Sequence, residues 1–320
     1  METIKLTDEN ILLKPDTRAD IFLSSYFNIS RSTASGILAA GKVIINGKNQ
    51  KPSYKLKNTD IIEYDPRFLN NAPLEILPQN IKLDIKFEDD NLLVINKQKG
   101  ILTHPTAHQR KDTLVNALLY HCGDNLSNKD EPLRRGIVHR LDKNTAGLML
   151  AAKTDAAAAL LQKQIKEKSA TRKYLAIALG VFDKKEGAID KPLAHYMSDS
   201  VKMQIAKKRE GKDALTYYKV LKQFEGAALV ELELKTGRTH QIRAHMASIN
   251  HPLFNDTLYG SKGHTIEKYR NIKTDEQVLI SYYLSFTHPK NNEIMTFELK
   301  YDDWDSDFKK VLGILEREKR

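Results

Sequence analysis

Cysteine is almost absent from this sequence, since Cys122 is the only one among 320 residues. A single cysteine excludes an internal disulfide and any zinc site built from several thiolates. Long apolar runs are also missing, and none approaches the roughly 20 residues that cross a bilayer as a helix. The first nine residues are acidic and lack the apolar core of a signal peptide. We therefore expect a cytoplasmic protein without a membrane segment, and we expect it to be a monomer.

Several motifs of known chemistry are missing as well. The sequence contains no Gly-x-Ser-x-Gly elbow of a serine hydrolase. The interval from Gly41 to Gly47 is one residue too long for a phosphate-binding loop, and Asn49 replaces the required Ser or Thr. His240 and His245 are five residues apart, about 140° around a helix, whereas a zinc pair needs positions i and i+4. The sequence therefore predicts no cofactor and no metal.

Negative charge is scarce in one part of the chain. Overall, 51 Lys and Arg residues outnumber 41 Asp and Glu residues, which gives a formal net charge of +10. Between Ile21 and Thr59 every charged residue is basic, namely Arg31, Lys42, Lys48, Lys51, Lys55 and Lys57. A charge run is usually a solvated surface, but one with a single sign is also the footprint of a nucleic-acid-binding face. The charge therefore favours a polyanionic partner, with nucleic acid first.

The N-terminal region, residues 1–66, is predicted to form a small domain. Arg18–Phe27 has the apolar spacing of a short amphipathic helix, and a second helix follows it. Val43–Lys48 is predicted to be a strand that enters an Asn-Gly turn, and Ile61–Tyr64 is predicted to be a closing strand. Residues 67–80 are rich in proline and asparagine and are predicted to be a linker.

Residues 81–320 are predicted to form a second, larger domain. The predicted strands are 85–88, 92–96, 174–179, 214–223, 227–234, 279–286 and 293–299. Helices are predicted after Asp112-Thr113, over Thr154–Lys168 and over Thr239–Ile249, and Gly187–Pro192 is predicted to be a turn. Mostly antiparallel strands with a few helices indicate an α+β domain.

One short loop in this domain concentrates charged side chains. Between two apolar runs, which are predicted to be strands or strand ends, lie the carboxylate of Asp142 and three potential cations: His139, Arg140 and Lys143. An Asp in a short loop often only stabilises a turn, because its side chain can form hydrogen bonds with nearby backbone groups. Flanking strands would instead hold the loop rigidly, and the cations favour an ionised carboxylate that suits a nucleophile or an electrostatic stabiliser. The residues alone leave both interpretations open.

Two segments carry a resemblance to a known family. His139-Arg140-Leu141-Asp142, followed after two residues by Thr145-Ala146-Gly147-Leu148, is similar to the central motif of the RluA/RluD family of pseudouridine synthases. That family usually has Ser or Thr where this chain has Ala146. Gly237–Arg243 is similar to a second motif of the same family, and the resemblance runs from about residue 18 to about residue 290.

The resemblance implies roles for four residues of the larger domain. Asp142 would be the catalytic residue, and Tyr174 would lie against the target base. Arg238 would pair with Asp142 and hold it ionised through a charge-assisted hydrogen bond. Arg140 would fill the base stack when the target nucleotide is flipped out. The residue pattern alone would make Tyr174 a half-buried strand residue and Arg238 a solvated loop residue.

The resemblance also implies an architecture and an activity. The first unit resembles an S4 RNA-binding domain, whose candidate RNA contacts here are Arg18, Arg31, Ser32, Lys42 and Lys48.

The implied reaction isomerises uridine to pseudouridine without a cofactor. Asp142 would attack the ribose as a nucleophile or assist formation of a glycal, and both routes stay open. The implied substrate is RNA, with 23S ribosomal RNA first, because the resemblance is strongest to members of the family that carry an S4 domain and modify large-subunit ribosomal RNA. A catalytically silent RNA-binding or ribosome-assembly protein is the alternative. Asp142, Tyr174 and Arg238 together favour the enzyme, since binding alone needs no such group.

Overall fold

The computed structural model describes residues 2–6, 16–27, 29, 31–66, 76–106, 109–123, 125–128, 132–196, 199–207, 210–260, 269, 271–272, 274 and 276–317. The chain divides into two compact units, Met1–Ile76 with Glu131–Leu133, and the remainder. The division falls inside the predicted linker 67–80, most of which lies outside the described residues. The predicted domain boundaries therefore stay a prediction.

The first unit combines a small sheet with two helices. Its elements are β1 (Glu2–Lys5), α1 (Ala19–Tyr26), α2 (Arg31–Ala39), β2 (Val43–Ile45) and β3 (Ile61–Tyr64). The sheet order is β1-β3-β2, and both pairings are antiparallel. Buried side chains from both helices and all three strands form one core. The predicted helices and the two predicted strands are confirmed, whereas β1 was not predicted.

The second unit is built around one large sheet. Its elements are β4 (Asp84–Glu88), β5 (Leu92–Lys97), α3 (Leu114–Cys122), β6 (Ala146–Ala152), α4 (Asp155–Glu167), β7 (Thr171–Leu179), β8 (Glu186–Asp190), β9 (Leu193–Tyr196), β10 (Asp199–Ile205), β11 (Leu215–Gln223), β12 (Ala227–Leu234), α5 (Gln241–Ala247), β13 (Leu279–Thr287), β14 (Ile294–Glu298) and α6 (Ser306–Arg317). Within the described ranges the sheet order is β4-β5-β6-β13-β7-β12-β11-β8, and β14 pairs with β13. β9 and β10 form a separate hairpin.

The pairing of β6 with β13 is parallel, and the other strand pairs of the described chain are antiparallel. This confirms the predicted α+β class. Apolar side chains of α4 and α6 join residues of β6, β7 and β13 in the main core. No helix in the described residues is long and apolar enough to cross a bilayer.

Gly147 allows a close approach between β6 and β13, just after the loop that carries Asp142. Its φ is 118°, and a Cβ at this position would lie 2.2 Å from the carbonyl oxygen of Ser281. Only glycine fits such a position without displacing backbone. Its neighbour Ala146 is buried in the core, where a residue without a hydroxyl is well suited. The end of the Asp142 loop is therefore fixed against the centre of the sheet.

Two local predictions need correction. The predicted turn at Gly187–Pro192 is wrong, because Glu186–Asp190 forms the edge strand β8 against β11. Only Ile189 of that strand is buried. Its sequence therefore lacks the alternation of apolar and polar residues that predicts a strand. The helix predicted over Thr239–Ile249 is shorter, since His240 has φ 52° and helix α5 begins after it.

Candidate active site

Asp142 opens onto a cavity of about 500 Å³ in the second unit. The four residues singled out in the sequence, Arg140, Asp142, Tyr174 and Arg238, all line it. They come from three separate segments: the loop before β6, strand β7, and the segment between β12 and α5. The fold thus brings together side chains that lie almost 100 residues apart in the chain.

The backbone of the Asp142 loop is anchored on both sides. Thr103 Oγ1 donates a 2.7 Å hydrogen bond to the carbonyl of Leu141. Lys97 Nζ donates to the carbonyl of Lys143 at 3.2 Å and to two further carbonyls. Lys97 is only 2% exposed. Its burial lowers its pKa to about 7, although the charge of Asp142 acts in the opposite direction.

Arg243 and His240, not Arg238, are the basic side chains that lie within 4.0 Å of the Asp142 carboxylate among the described residues. Arg243 Nη1 lies 3.9 Å and His240 Nε2 lies 4.0 Å from Asp142 Oδ2. Arg238 instead donates from Nε to the carbonyl oxygen of Asp213 at 3.0 Å. The predicted pairing of Arg238 with Asp142 is therefore wrong. Both arginines belong to the same motif, but the left-handed backbone at His240 separates them and brings Arg243 to the carboxylate.

A second carboxylate holds Arg243 in place. Arg243 Nε and Nη2 donate to the two oxygens of Asp256 at 2.7 and 2.8 Å, a bidentate pair. The side chain of Asp256 is fully buried and also accepts from the backbone N–H groups of Leu258 and Tyr259. Burial acts to lower the pKa of Arg243, but the hydrogen bonds and charge of Asp256 outweigh it and raise the pKa above its usual value. Arg243 is therefore a fixed cation.

His240 contacts both Asp142 and Tyr259. Its Nδ1 lies 3.2 Å from the hydroxyl of Tyr259, which also accepts from the backbone N–H of Met203 at 2.7 Å. Burial lowers the pKa of His240, against the effect of the Asp142 charge. His240 is therefore a neutral ring at neutral pH, and its Nε2 is the ring nitrogen nearest the carboxylate.

Tyr174 is more buried than the strand pattern suggested. Its side chain is 4% exposed, and burial raises its pKa. Strand β7 places it beside Asp142 in the cavity, and it also lines a smaller recess with His240 and Arg243. The ring therefore provides an apolar wall to the site and stays protonated at neutral pH.

Gln241, whose role was not predicted from the sequence, fixes the turn that separates the two arginines. Its Oε1 accepts from Thr236 Oγ1 at 2.8 Å and from the backbone N–H of Arg238 at 3.0 Å. Its Nε2 donates to the carbonyl of Leu215 and to Thr216 Oγ1, both at 3.0 Å. Gln241 is 2% exposed, so its amide group is largely shielded from water and these hydrogen bonds hold the turn.

Ligand-type side chains also meet at Glu88, His121 and Cys122, which could hold a metal ion. None of the three lines the Asp142 cavity. Glu88 already accepts from His121 Nε2 at 2.8 Å and from Lys153 Nζ at 3.0 Å. The ammonium group occupies one carboxylate oxygen and would repel a cation, so these side chains form an ion-pair cluster.

The S4 candidates of the first unit fall into two groups. Arg18 and Arg31 both pair with the buried Asp20 at 3.0 Å, although 38% and 49% of their side chains remain exposed. Burial acts to raise the pKa of Asp20, but these two arginines outweigh it and lower the pKa. Lys42 and Lys48 are exposed. Ser32 lies in α2, but its side chain is outside the described part of the structure.

Comparison with known proteins matches both units. Residues 91–248 match a family model described as RNA pseudouridylate synthase, and residues 17–62 match the S4 domain. An RNA pseudouridine synthase of Aquifex aeolicus is 39% identical, over 94% of each chain. The chain belongs to the RNA pseudouridine synthase family. It is therefore an isomerase of this class, with an S4 domain before the catalytic domain, as predicted.

Other members of the RNA pseudouridine synthase family extend the comparison. The ribosomal large subunit pseudouridine synthase D of Zymomonas mobilis is 38% identical over 93% of each chain. The solved structure of human RNA pseudouridylate synthase domain containing 4 has a TM-score of 0.57 and 25% identity, and the match covers 73% of this chain and 93% of the human one. The family match at 91–248 includes Asp142 and Arg243, whereas Asp256 lies beyond it.

Proposed function

We propose that this enzyme isomerises specific uridines of 23S ribosomal RNA and that Asp142 is its nucleophile. The observation that carries the proposal is the carboxylate of Asp142 in a cavity, with the fixed cation Arg243 at 3.9 Å and the ring of Tyr174 beside it. Relatives named ribosomal large subunit pseudouridine synthase D support the choice of RNA, since they match at 38% identity over most of the chain.

The target nucleotide must leave its helix before it can react. A stacked uridine cannot present its ribose to a carboxylate inside a cavity, so we infer that the nucleotide is flipped out. Arg140 is exposed and lies two residues from Asp142, where its planar guanidinium can fill the vacated space in the stack. Tyr174 would then lie against the extruded uracil.

The ionised carboxylate is the reactive group in this account. Attack of Asp142 on C1′ breaks the N1–C1′ bond and leaves the uracil as an anion. The uracil turns within the cavity, C5 bonds to C1′ as the Asp142–C1′ bond breaks, and the proton on C5 is lost. In the alternative route Asp142 assists removal of the C2′ proton as the uracil leaves C1′, which gives a glycal, and the proton returns to C2′ when C5 bonds to C1′. Arg243 and His240 would orient the carboxylate in either route.

The first unit would supply affinity more than specificity. Arg18, Arg31, Lys42 and Lys48 would contact phosphates, which bind without reading the sequence. Ser32 stays a prediction of the S4 resemblance. Arg238 would contact the RNA near the reacting nucleotide, since it lines the cavity without pairing with Asp142. The monomeric state and the cytoplasmic location also stay predictions.

The experiment is to map pseudouridines in ribosomal and transfer RNA from cells with and without this protein. We expect one or more positions of 23S ribosomal RNA to lose pseudouridine, and to regain it on expression of the wild-type protein but not of Asp142→Asn. Loss of pseudouridine from transfer RNA alone would refute 23S ribosomal RNA as the substrate. If no position depended on the protein, while the purified protein bound ribosomal RNA, a silent binding protein would be the better account.

A further inference from the structure

Arg172 is a buried cation without an ion-pair partner in the described part of the structure. It lies on β7, is 4% exposed, and its Nε has no hydrogen-bond partner in the described structure. None of the ion pairs found among the described residues includes it. Burying an unpaired charge costs free energy. Removing one partner of a buried ion pair strongly destabilises the folded protein, because the other charge is left uncompensated. Such a group is typical of a site that awaits an anionic ligand.

Arg172 faces the cavity of Asp142. It lines that cavity with Tyr174, and two residues apart on one strand they point to the same face of the sheet. Its Nη1 reaches the glycine of the second motif, since a Cβ on Gly237 would lie 3.2 Å from it. The guanidinium is therefore inside the site rather than behind it.

His139 supplies a second buried donor beside Arg172. Its Nε2 accepts from the backbone N–H of Leu150 at 2.9 Å, so the proton of the neutral ring is on Nδ1. Nδ1 is buried without a partner in the described structure. Burial, and then the charge of Arg172, lower the pKa of His139 to about 3, which keeps the ring neutral. The ring therefore offers an N–H donor at neutral pH.

The surrounding charges select the ligand. Besides Arg172, the described lining of the cavity includes five basic side chains, Arg140, Lys166, Lys168, Lys235 and Arg238, against the carboxylates of Asp142 and Asp213. A neutral uracil carbonyl would leave this excess uncompensated, whereas a phosphate would neutralise part of it. Guanidinium groups bind phosphate oxygens through paired hydrogen bonds.

We propose that Arg172, with His139 as a second donor, binds a backbone phosphate next to the target uridine. This inference rests on the proposed function, because it assumes that the target ribose lies at Asp142. Arg172 is then a positioning residue: it fixes the strand on one side of the flipped nucleotide, while Asp142 and Tyr174 act on the sugar and base. The phosphate also explains why a cation is kept in a buried position where it forms no ion pair with a described carboxylate.

The test is a binding cycle between one side chain and one phosphate. A set of stem-loop RNAs that contain a mapped target is prepared. In each RNA, one phosphate near the target is replaced by an uncharged methylphosphonate on a 2′-deoxy linkage. RNAs with the same 2′-deoxy substitution and an ordinary phosphate are the controls. Dissociation constants are measured for wild type, Arg172→Met and Lys173→Met. Lys173 is a matched control, because it is the next residue of β7, points to the other face and already pairs with Glu231 at 3.4 Å.

We expect one flanking methylphosphonate to weaken binding to the wild type by about 10- to 100-fold, the value of a charge-assisted hydrogen bond. Arg172→Met should bind natural RNA more weakly by a similar factor and should lose nothing further with that methylphosphonate. In Lys173→Met the methylphosphonate should keep its full effect. If Arg172→Met does not fold, Arg172→Lys should retain part of the methylphosphonate effect, because it keeps the charge but not the planar fork.

The inference is overturned if the effects of Arg172→Met and of every flanking methylphosphonate multiply, as for independent sites. It is also overturned if Arg172→Lys, when used, responds to every methylphosphonate as the wild type does. The readout is binding, so a failure of the proposed function is separable. An active enzyme with independent effects refutes only the phosphate site, and a coupled but inactive protein refutes only the activity.

Discussion

At the scale of single residues, two arginines of one motif have different tasks. Arg243 is fixed by Asp256 and faces Asp142, whereas Arg238 is bound to a backbone carbonyl and lines the cavity. Arg243→Ala should lower kcat by about 100-fold or more, as expected for loss of a fixed charge at the reacting centre. Arg238→Ala should mainly raise KM. Steady-state kinetics on one RNA compares the two variants. A larger loss of kcat in Arg238→Ala than in Arg243→Ala would show that Arg238, and not Arg243, is the partner of Asp142.

Lys97 makes the stability of the protein depend on pH. Its pKa is about 7 in the folded protein, against an ordinary value near 10.5 when unfolded. Between these values the unfolded chain binds the additional proton, so the free energy of unfolding should rise as the pH increases from 7 towards 10. Lys97→Met lacks this contribution. Denaturant unfolding of both proteins across this range should show the free energy of unfolding rising more steeply with pH in the wild type than in the variant. An equal dependence on pH in the two proteins would contradict the lowered pKa of Lys97.

The sequence could identify some of these residues but not others. Asp142 lies in a segment that resembles a family motif, and the resemblance implied the role of Tyr174; the cavity contains both. Arg243 could not be chosen over Arg238, because the choice depends on the left-handed backbone at His240. Asp256 was also missed, since its contact with Arg243 spans thirteen residues and a turn outside both motifs.

At the scale of elements, the segment after α5 carries Asp256, which fixes Arg243 of that helix beside Asp142. Asp256→Asn removes the carboxylate that the buried Arg243 needs, and should lower the free energy of unfolding by about 3–5 kcal/mol. It should also lower kcat. Asp213→Asn is the matched control, since Arg238 uses the backbone carbonyl of Asp213 rather than its carboxylate. Denaturant titration of both variants checks this, and equal stabilities would show that Asp256 is not required.

Strands with a clear alternation or an apolar run could be predicted, even for β4 at one edge of the sheet, whereas β8 at the other edge could not. The β4–β5 and β11–β12 hairpins follow their sequence patterns. Strand β8 was missed because its sequence has only one large apolar residue, Ile189, and a glycine that favours a turn. Helix α6 could have been found, because Phe308, Val311, Leu312 and Leu315 have helical spacing and are buried.

At the scale of the whole molecule, the two units should be separable. The catalytic unit contains its own core and the complete cavity. A protein that lacks residues 1–66 should fold, bind RNA more weakly and still isomerise a saturating RNA. Each lost phosphate contact should reduce the slope of log affinity against log salt by about 0.9 on a duplex, or roughly 0.7 on a single strand.

Titration of full-length and truncated protein against one stem-loop RNA at several salt concentrations measures this slope, together with pseudouridine yield. Equal slopes would show that the S4 unit does not touch that RNA. A folded truncated protein without activity at saturation would show that the S4 unit contributes to the active site.

The most direct test of the central claim is pseudouridine formation by Asp142→Asn on an RNA that the wild type modifies. Asn has nearly the shape of Asp but cannot act as the anionic nucleophile. Product formation and the dissociation constant are measured on the same purified protein, so that loss of binding cannot be mistaken for loss of chemistry. We predict no pseudouridine and unchanged RNA binding. Product formed at a rate near that of the wild type would contradict the account, because the carboxylate of Asp142 would then not carry the reaction.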